Sequence, residues 1–196
     1  GGTFDPIHYG HLRPAQEVLR ALDLEEVRII PAANPPHRRV PSATAEQRLR
    51  MAELAVAEFP GFRVDDCELR RGGPSYTVLT LESLREEFGA RPLCLLLGLD
   101  AFEGLATWHQ WQRLPELTHI VVMTRPGWSL PAADVLPSWT RGRLAHAAGD
   151  LARTSAGKTY FQTVTPQDIS ATRSREAIAR SEPVDLALLT AALDIA

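Results

Sequence analysis

Residues 1–22 read GGTFDPIHYGHLRPAQEVLRAL, a glycine turn, two histidines three positions apart and the start of a helix within one short stretch. Leu12, Ala15, Leu19 and Leu22 recur at spacings of three, four and three, which lays an apolar stripe along one helical face. Pro14 suits the first turn of that helix, where its missing N–H costs little. Glycines let backbone N–H groups approach a ligand closely, and the helix start adds unpaired N–H groups with a partial positive charge of about 0.5. The stretch therefore describes an anion site. A glycine turn of this kind normally follows a buried strand. Neither a strand nor an initiating Met precedes Gly1, so a first strand is expected upstream in the working protein.

Strands alternate with helices downstream. EVRIIPA reads as a strand and NPPHRRVPS as a loop, because three prolines and an asparagine forbid regular structure. Thr44 and Gln47 have capping-box spacing, followed by Leu49, Ala52, Val56 and Phe59 on one face of a second helix. FRVDDCEL has strand character, RRGGPS is a turn, and YTVLTLESLREEF is a third helix ending at Gly89. PLCLLLGL is the best candidate for a strand covered on both faces. HIVVMT and KTYFQTVT follow as strands, and TRSREAIAR and VDLALLTAAL as closing helices; PGWSLPAADVLPSWTRG reads only as a turn-rich surface excursion. This alternation predicts an α/β fold, a doubly wound, mainly parallel Rossmann-like sheet with helices on both faces, in one domain over residues 1–196.

Composition narrows the classes. The 196 residues are 44% hydrophobic and 23% charged, a globular balance, with a formal charge of −3. That charge argues against a protein that coats nucleic acid. The apolar runs LCLLL and HIVVM fall far short of the ~20 residues of a membrane span. Cys67 and Cys94 share no ligand or redox spacing and read as reduced, structural thiols. With no signal peptide visible, the cytoplasm is the expected location.

Two segments carry chemistry. His8 and His11 supply side-chain donors at the mouth of the anion site, with Gly10 between them; taken alone, the pair fits solvated or capping histidines equally well. A zinc pair lacks a third ligand at recognisable spacing. At the other end, ISATRSR places Ser170 and Thr172 at a helix start, where their hydroxyls suit capping, and Arg175 about one turn in.

Together, GGTFDPIHYGH and ISATRSR resemble the opening and closing motifs of the HxGH nucleotidyltransferase superfamily. NPPHR, PSYT, GLDAFEGLATWHQW and RPG narrow the resemblance to the nicotinate mononucleotide adenylyltransferase family, over most of the chain. The resemblance implies transfer of AMP from ATP to nicotinate mononucleotide, giving deamido-NAD and pyrophosphate in NAD biosynthesis. It further implies that His8, His11 and Arg175 are catalytic, and that Gly1, Gly2, Thr3, Gly10, Asp100, Ser170 and Thr172 bind ATP. His37, Arg38, Tyr76, Thr77, Trp108 and Arg125 would bind the mononucleotide, with Trp108 stacking on the pyridine ring and Tyr76 and Thr77 receiving the carboxylate. Mg2+ would be held mainly by the ATP phosphates, with few protein ligands. The implied partners are the two small substrates and, in an oligomer, further copies of the chain, with neither nucleic acid nor membrane.

Leu79 stands where members commonly carry Asp, Leu99 replaces a smaller residue, and the ending is shorter than usual. Phosphopantetheine adenylyltransferase or a cytidylyltransferase would share the outer motifs, but Trp108 and PSYT argue against both. An inactive nucleotide-binding module would not need His8, His11 and Arg175 together. A flavodoxin-like redox protein would share the sheet alone.

Overall fold

The computed structural model describes residues 1–35, 40–132 and 135–167, and these fall into two compact units, Gly1–Ser75 with Pro166 and Gln167, and Tyr76–Thr165. The expected closing helices lie outside the described residues. Parallel strands flanked by helices make up both units, as the alternation in the sequence predicts.

The first unit runs α1 (Tyr9–Ala21), β1 (Val27–Ile29), α2 (Ala45–Val56), β2 (Phe62–Val64) and α3 (Cys67–Arg71). β1 and β2 pair in parallel, Val27 opposite Phe62 and Ile29 opposite Val64. Gly2 runs parallel to the chain just past β1, its N–H donating to the Ile30 carbonyl (3.1 Å) and its own carbonyl accepting from Ala32 N–H (2.8 Å). The N-terminal glycine loop is thereby laid along the carboxyl end of β1. Helix α1 buries Leu12, Pro14, Ala15 and Val18. Because α1 begins at Tyr9, Pro14 falls in its second turn rather than its first, and the carbonyl it cannot bond is that of Gly10.

The expected capping box opens α2: Thr44 Oγ1 accepts from Gln47 N–H (3.2 Å), and Gln47 Oε1 accepts from Thr44 N–H (2.9 Å). The buried face of α2 differs from the expected stripe. It consists of Arg48, Met51 and Ala52, while Leu49 and Val56 are only half-buried. The strand expected over FRVDDCEL is also shorter, because Asp65 Oδ1 accepts the Cys67 N–H at 2.9 Å and turns the chain into α3. A short carboxylate side chain that bonds its own backbone two residues on competes with the extended ladder.

The second unit runs α4 (Thr77–Phe88), β3 (Cys94–Gly98), α5 (Leu99–Glu103), α6 (Leu114–Leu117), β4 (His119–Thr124) and β5 (Thr159–Thr163). Its three strands are parallel, with β4 in the middle. Position in the sheet decides burial: Ile120, Val121 and Val122 of β4 are no more than 1% exposed, whereas Cys94, Leu95 and Leu96 of the flanking β3 are half-buried. The run expected to be most covered is thus exceeded by HIVVMT. Val78, Leu81, Leu97, Phe102, Leu114 and Ile120 meet in one apolar cluster, and Leu79 and Leu99 pack against it. Burying each such side chain is worth about 1.5–3 kcal/mol. The two positions that depart from the family pattern therefore serve the core.

The 125–158 excursion begins with a type II turn, Trp128 N–H donating to the Arg125 carbonyl (3.1 Å) over Gly127 at φ +84°. The excursion carries 3-10 turns at Ser138–Thr140 and Ala148–Arg153 and a parallel bridge from Leu144 to Thr159. Arg85 secures the far end of α4, donating to the carbonyls of Gly89 (2.7 Å), Arg91 (2.7 Å), Ser155 (3.0 Å) and Leu117. Among the described residues, no helix is long and apolar enough to cross a membrane.

His119, fully buried at the head of β4, accepts the Lys158 N–H on Nδ1 (3.0 Å), so Nε2 carries the proton given to the Thr154 carbonyl (2.8 Å). Burial lowers its pKa below the usual 6.5. The unfolded chain, which keeps the ordinary value, takes up the proton first as pH falls, so stability present above pH ~6.5 is lost below it. Urea unfolding at several pH values from 7.5 downward is expected to show this loss, and His119→Gln is expected to flatten part of the slope.

Candidate active site

The loop that leads into α1 is built around a glycine and an aromatic ring. A Cβ on Gly2 would sit 3.1 Å from Cε1 and Cζ of Phe4, so glycine lets that ring lie against the backbone without being displaced. Phe4 reaches this place with φ at +50°, a left-handed conformation that bulky residues rarely adopt. Such strain costs of order 1–3 kcal/mol and persists where the surroundings fix it, typically at functional sites. The Phe4 ring, 8% exposed, then meets His11 edge to face, centroids 5.1 Å apart at 89°.

His11 in turn stacks on His8, centroids 3.8 Å apart and planes within 29°. The backbone N–H of His8 donates to His11 Nδ1 at 3.2 Å. A backbone N–H can only donate, so Nδ1 must accept and the His11 proton resides on Nε2. His8 is 6% exposed, its Nδ1 is buried without a hydrogen-bond partner, and burial pushes its pKa down to about 4. The ring is therefore neutral at pH 7. Two stacked imidazoles, one with its tautomer fixed, thus stand at the first turn of α1 with Gly10 in the same turn, and the Phe4 ring links His11 to Gly2 of the glycine loop. That is a neutral, donor-bearing site suited to anionic oxygens.

Asp5 and Arg48, which sequence reasoning did not single out, brace this loop. Asp5 accepts from Ser42 N–H (2.7 Å) and Ala43 N–H (3.1 Å). Arg48, 1% exposed, donates to the carbonyls of Thr3 (2.7 Å), Ala43 (3.3 Å) and Ala33 (3.4 Å). The available signal was an arginine on the core-facing side of α2, three residues before Met51.

The second unit holds the other described candidates, two of them, Asp100 and Arg125, just past the carboxyl ends of its parallel strands, where open α/β sheets bind ligands. Asp100 lies exposed in the first turn of α5, just past β3, and a Cβ on Gly98 would come within 2.8 Å of its Oδ1. Arg125 lies exposed immediately after β4. Tyr76 is the N-cap of α4 but makes no side-chain cap bond, and Thr77 begins the helix. Trp108 is half-buried and packs against the apolar cluster.

His109 was missed by sequence reasoning. It stacks on Tyr76, centroids 4.1 Å apart and planes within 25°. Gln110 Nε2 stands 3.2 Å from its Nε2, Arg113 donates to Gln110 Oε1 (3.0 Å), and Arg113 pairs with Glu82 of α4. This chain of contacts fastens the Trp108 loop to α4 by both ends. Its sequence signal was the polar run HQWQR directly after the tryptophan. His37, Arg38, Ser170, Thr172 and Arg175 lie outside the described residues. Among the described residues, no three His, Cys, Asp or Glu side chains gather to hold a metal.

The sequence model of the Cytidylyltransferase-like family matches residues 1–177. A protein of Halorhodospira halophila bearing the name "Probable nicotinate-nucleotide adenylyltransferase" is 50% identical over 184 residues, 94% of this chain and 84% of its own. A Methylococcus capsulatus protein of the same name is 45% identical over 196 residues, all of this chain and 93% of its own. The Plasmodium falciparum nicotinic acid mononucleotide adenylyltransferase, solved in complex with NaAD, superposes with a TM-score of 0.66 over 93% of this chain and 83% of its own. At 13% identity that likeness speaks for the fold alone. Identity near one half, sustained along nearly the whole length of both proteins, places this chain in the cytidylyltransferase-like family, among the nicotinate-nucleotide adenylyltransferases.

Proposed function

We propose that the chain transfers the adenylyl group of ATP to nicotinate mononucleotide, forming deamido-NAD and releasing pyrophosphate. The observation that carries this reading is the stacked His8–His11 pair with its fixed tautomer, set at a helix start beside a glycine loop. The mononucleotide phosphate attacks the α-phosphorus of ATP in line, a P–O bond forms, and the bond to the pyrophosphate oxygen breaks. No protein nucleophile is required, so the residues position the substrates and stabilise developing charge.

In this reading His11 Nε2–H donates to a phosphate oxygen on which charge builds, and neutral His8 binds without adding charge repulsion against its stacked neighbour. Gly1, Gly2, Thr3 and Gly10 pass their backbone beside the nucleotide, and Ser170, Thr172 and Arg175 bind the triphosphate. Asp100 contacts the nucleotide or its metal. Magnesium would be held mainly by the ATP phosphates, with few protein ligands, and would neutralise phosphate charge. On the acceptor side Trp108 stacks on the pyridine ring with the part of its surface left open by the core. The uncapped first turn of α4 at Thr77, behind Tyr76, receives the nicotinate carboxylate, and His37, Arg38 and Arg125 neutralise the acceptor phosphate. Cys67 and Cys94 are both free thiols, which supports a reducing, cytoplasmic setting.

The test is pyrophosphate release from ATP and magnesium with nicotinate mononucleotide, its amide or phosphopantetheine, and with CTP replacing ATP. The acid with ATP is expected to be the fastest pair. Equal rates with the amide would remove the carboxylate role of the α4 start, and preference for phosphopantetheine or CTP would remove the proposed reaction. Removing one oriented donor from such a site costs about 10²–10³ in kcat, so His11→Ala is expected to lose that much turnover while its circular dichroism stays unchanged. Aromatic stacking on a base is worth about 1–3 kcal/mol, so Trp108→Ala is expected to raise KM for the mononucleotide roughly tenfold or more and leave KM for ATP nearly unchanged.

A further inference from the structure

Arg48 is a charged side chain at 1% exposure on the core-facing side of α2. Its acceptors are main-chain carbonyls from three separate segments: Thr3 in the glycine loop, Ala33 in the segment after β1, and Ala43 just ahead of α2. Burial lowers its pKa, and Asp5, Glu46 and Glu68 are the acidic groups that offset this. If stability were its only service, an apolar side chain of similar volume would serve as well, since buried ions rarely stabilise more than the hydrophobic residues that replace them. What a guanidinium adds is direction, a planar fork whose N–H groups leave at fixed angles.

Those angles join two segments of the first unit. Thr3 follows the two glycines that pass the nucleotide. Ala33 precedes Asn34, whose N–H donates to Ser75 Oγ (2.9 Å) and whose carbonyl accepts from Ser75 N–H (2.9 Å). Ser75 is the residue before Tyr76 and Thr77 in the chain. Asp5 completes the brace by holding the N–H groups of Ser42 and Ala43, while Arg48 holds the carbonyl of Ala43.

We propose that Arg48 is a positioning residue for adenylyl transfer, setting the spacing between the glycine loop at Thr3 and the segment at Ala33. This rests on the reaction proposed above. Misplacement of reacting groups by about 1 Å costs on the order of 100-fold in rate. A spacing role therefore predicts a kinetic loss out of proportion to any loss of stability.

The experiment uses Arg48→Met, which keeps length and apolar bulk, Arg48→Lys, which keeps charge but not the fork, and Arg48→Ala, which leaves a guanidinium-sized space. Each is measured for thermal unfolding, for ATP binding by titration calorimetry, and for steady-state pyrophosphate release. Folded Arg48→Met and Arg48→Lys are expected to lose about 100-fold in kcat/KM, with kcat falling as well as KM rising. Millimolar guanidinium is expected to recover activity in Arg48→Ala but not in the parent or in Arg48→Met. Parental kinetics in folded Arg48→Met or Arg48→Lys overturns the proposal. So does a kinetic loss that vanishes on cooling, or failure of all three variants to fold, either of which makes Arg48 a core cation only. If the parent itself releases no pyrophosphate, the reaction is at fault rather than the residue. ATP affinity then decides for Arg48: weaker binding in the folded variants supports it and unchanged binding overturns it.

Discussion

One hydrogen bond orders the start of α1 in this protein, the 3.2 Å contact from the His8 N–H to His11 Nδ1. It costs the helix nothing, because the first N–H groups of a helix have no intrahelical partner. It also removes the ambiguity that makes imidazole a poor fixed donor, since only one ring nitrogen is left to carry the proton. The surrounding packing serves that single orientation. Phe4 closes on one edge of His11, Gly2 makes room for Phe4, and His8 covers the face of the ring.

The outer logic of the fold could be read from the chain because period and capping are local properties. The Thr44–Gln47 box and the stop at Gly89 rest on neighbours within a few residues, and the strands in EVRIIPA, HIVVMT and KTYFQTVT, though paired with distant partners, carry a local apolar pattern. Where the reading missed, a distant or side-chain partner decided the outcome. Asp65 diverted FRVDDCEL into a helix, and β3 is less covered than β4 because of its place in the sheet, which no window of sequence reports. Arg48 broke the apolar stripe of α2 because its acceptors lie at residues 3, 33 and 43.

The candidate site follows the same division between local pattern and distant contact. His8, His11 and the glycines announced themselves as a pattern, whereas Phe4, Asp5 and His109 act through contacts that a motif does not encode. Trp108 is held in two ways: the core packs part of the indole, and the Tyr76–His109 stack fastens the adjoining loop. Leu79 and Leu99, departures from the family pattern, deepen the same apolar support.

Arg85 binds four main-chain oxygens, those of Gly89, Arg91, Leu117 and Ser155, and so recognises the path of the chain instead of its residues. Mutational drift at any of those four sites leaves its acceptors in place. Across descendants of this gene, the arginine should thus stay fixed while the letters it grips change freely, and a conserved cation amid variable loops would mark architecture rather than catalysis.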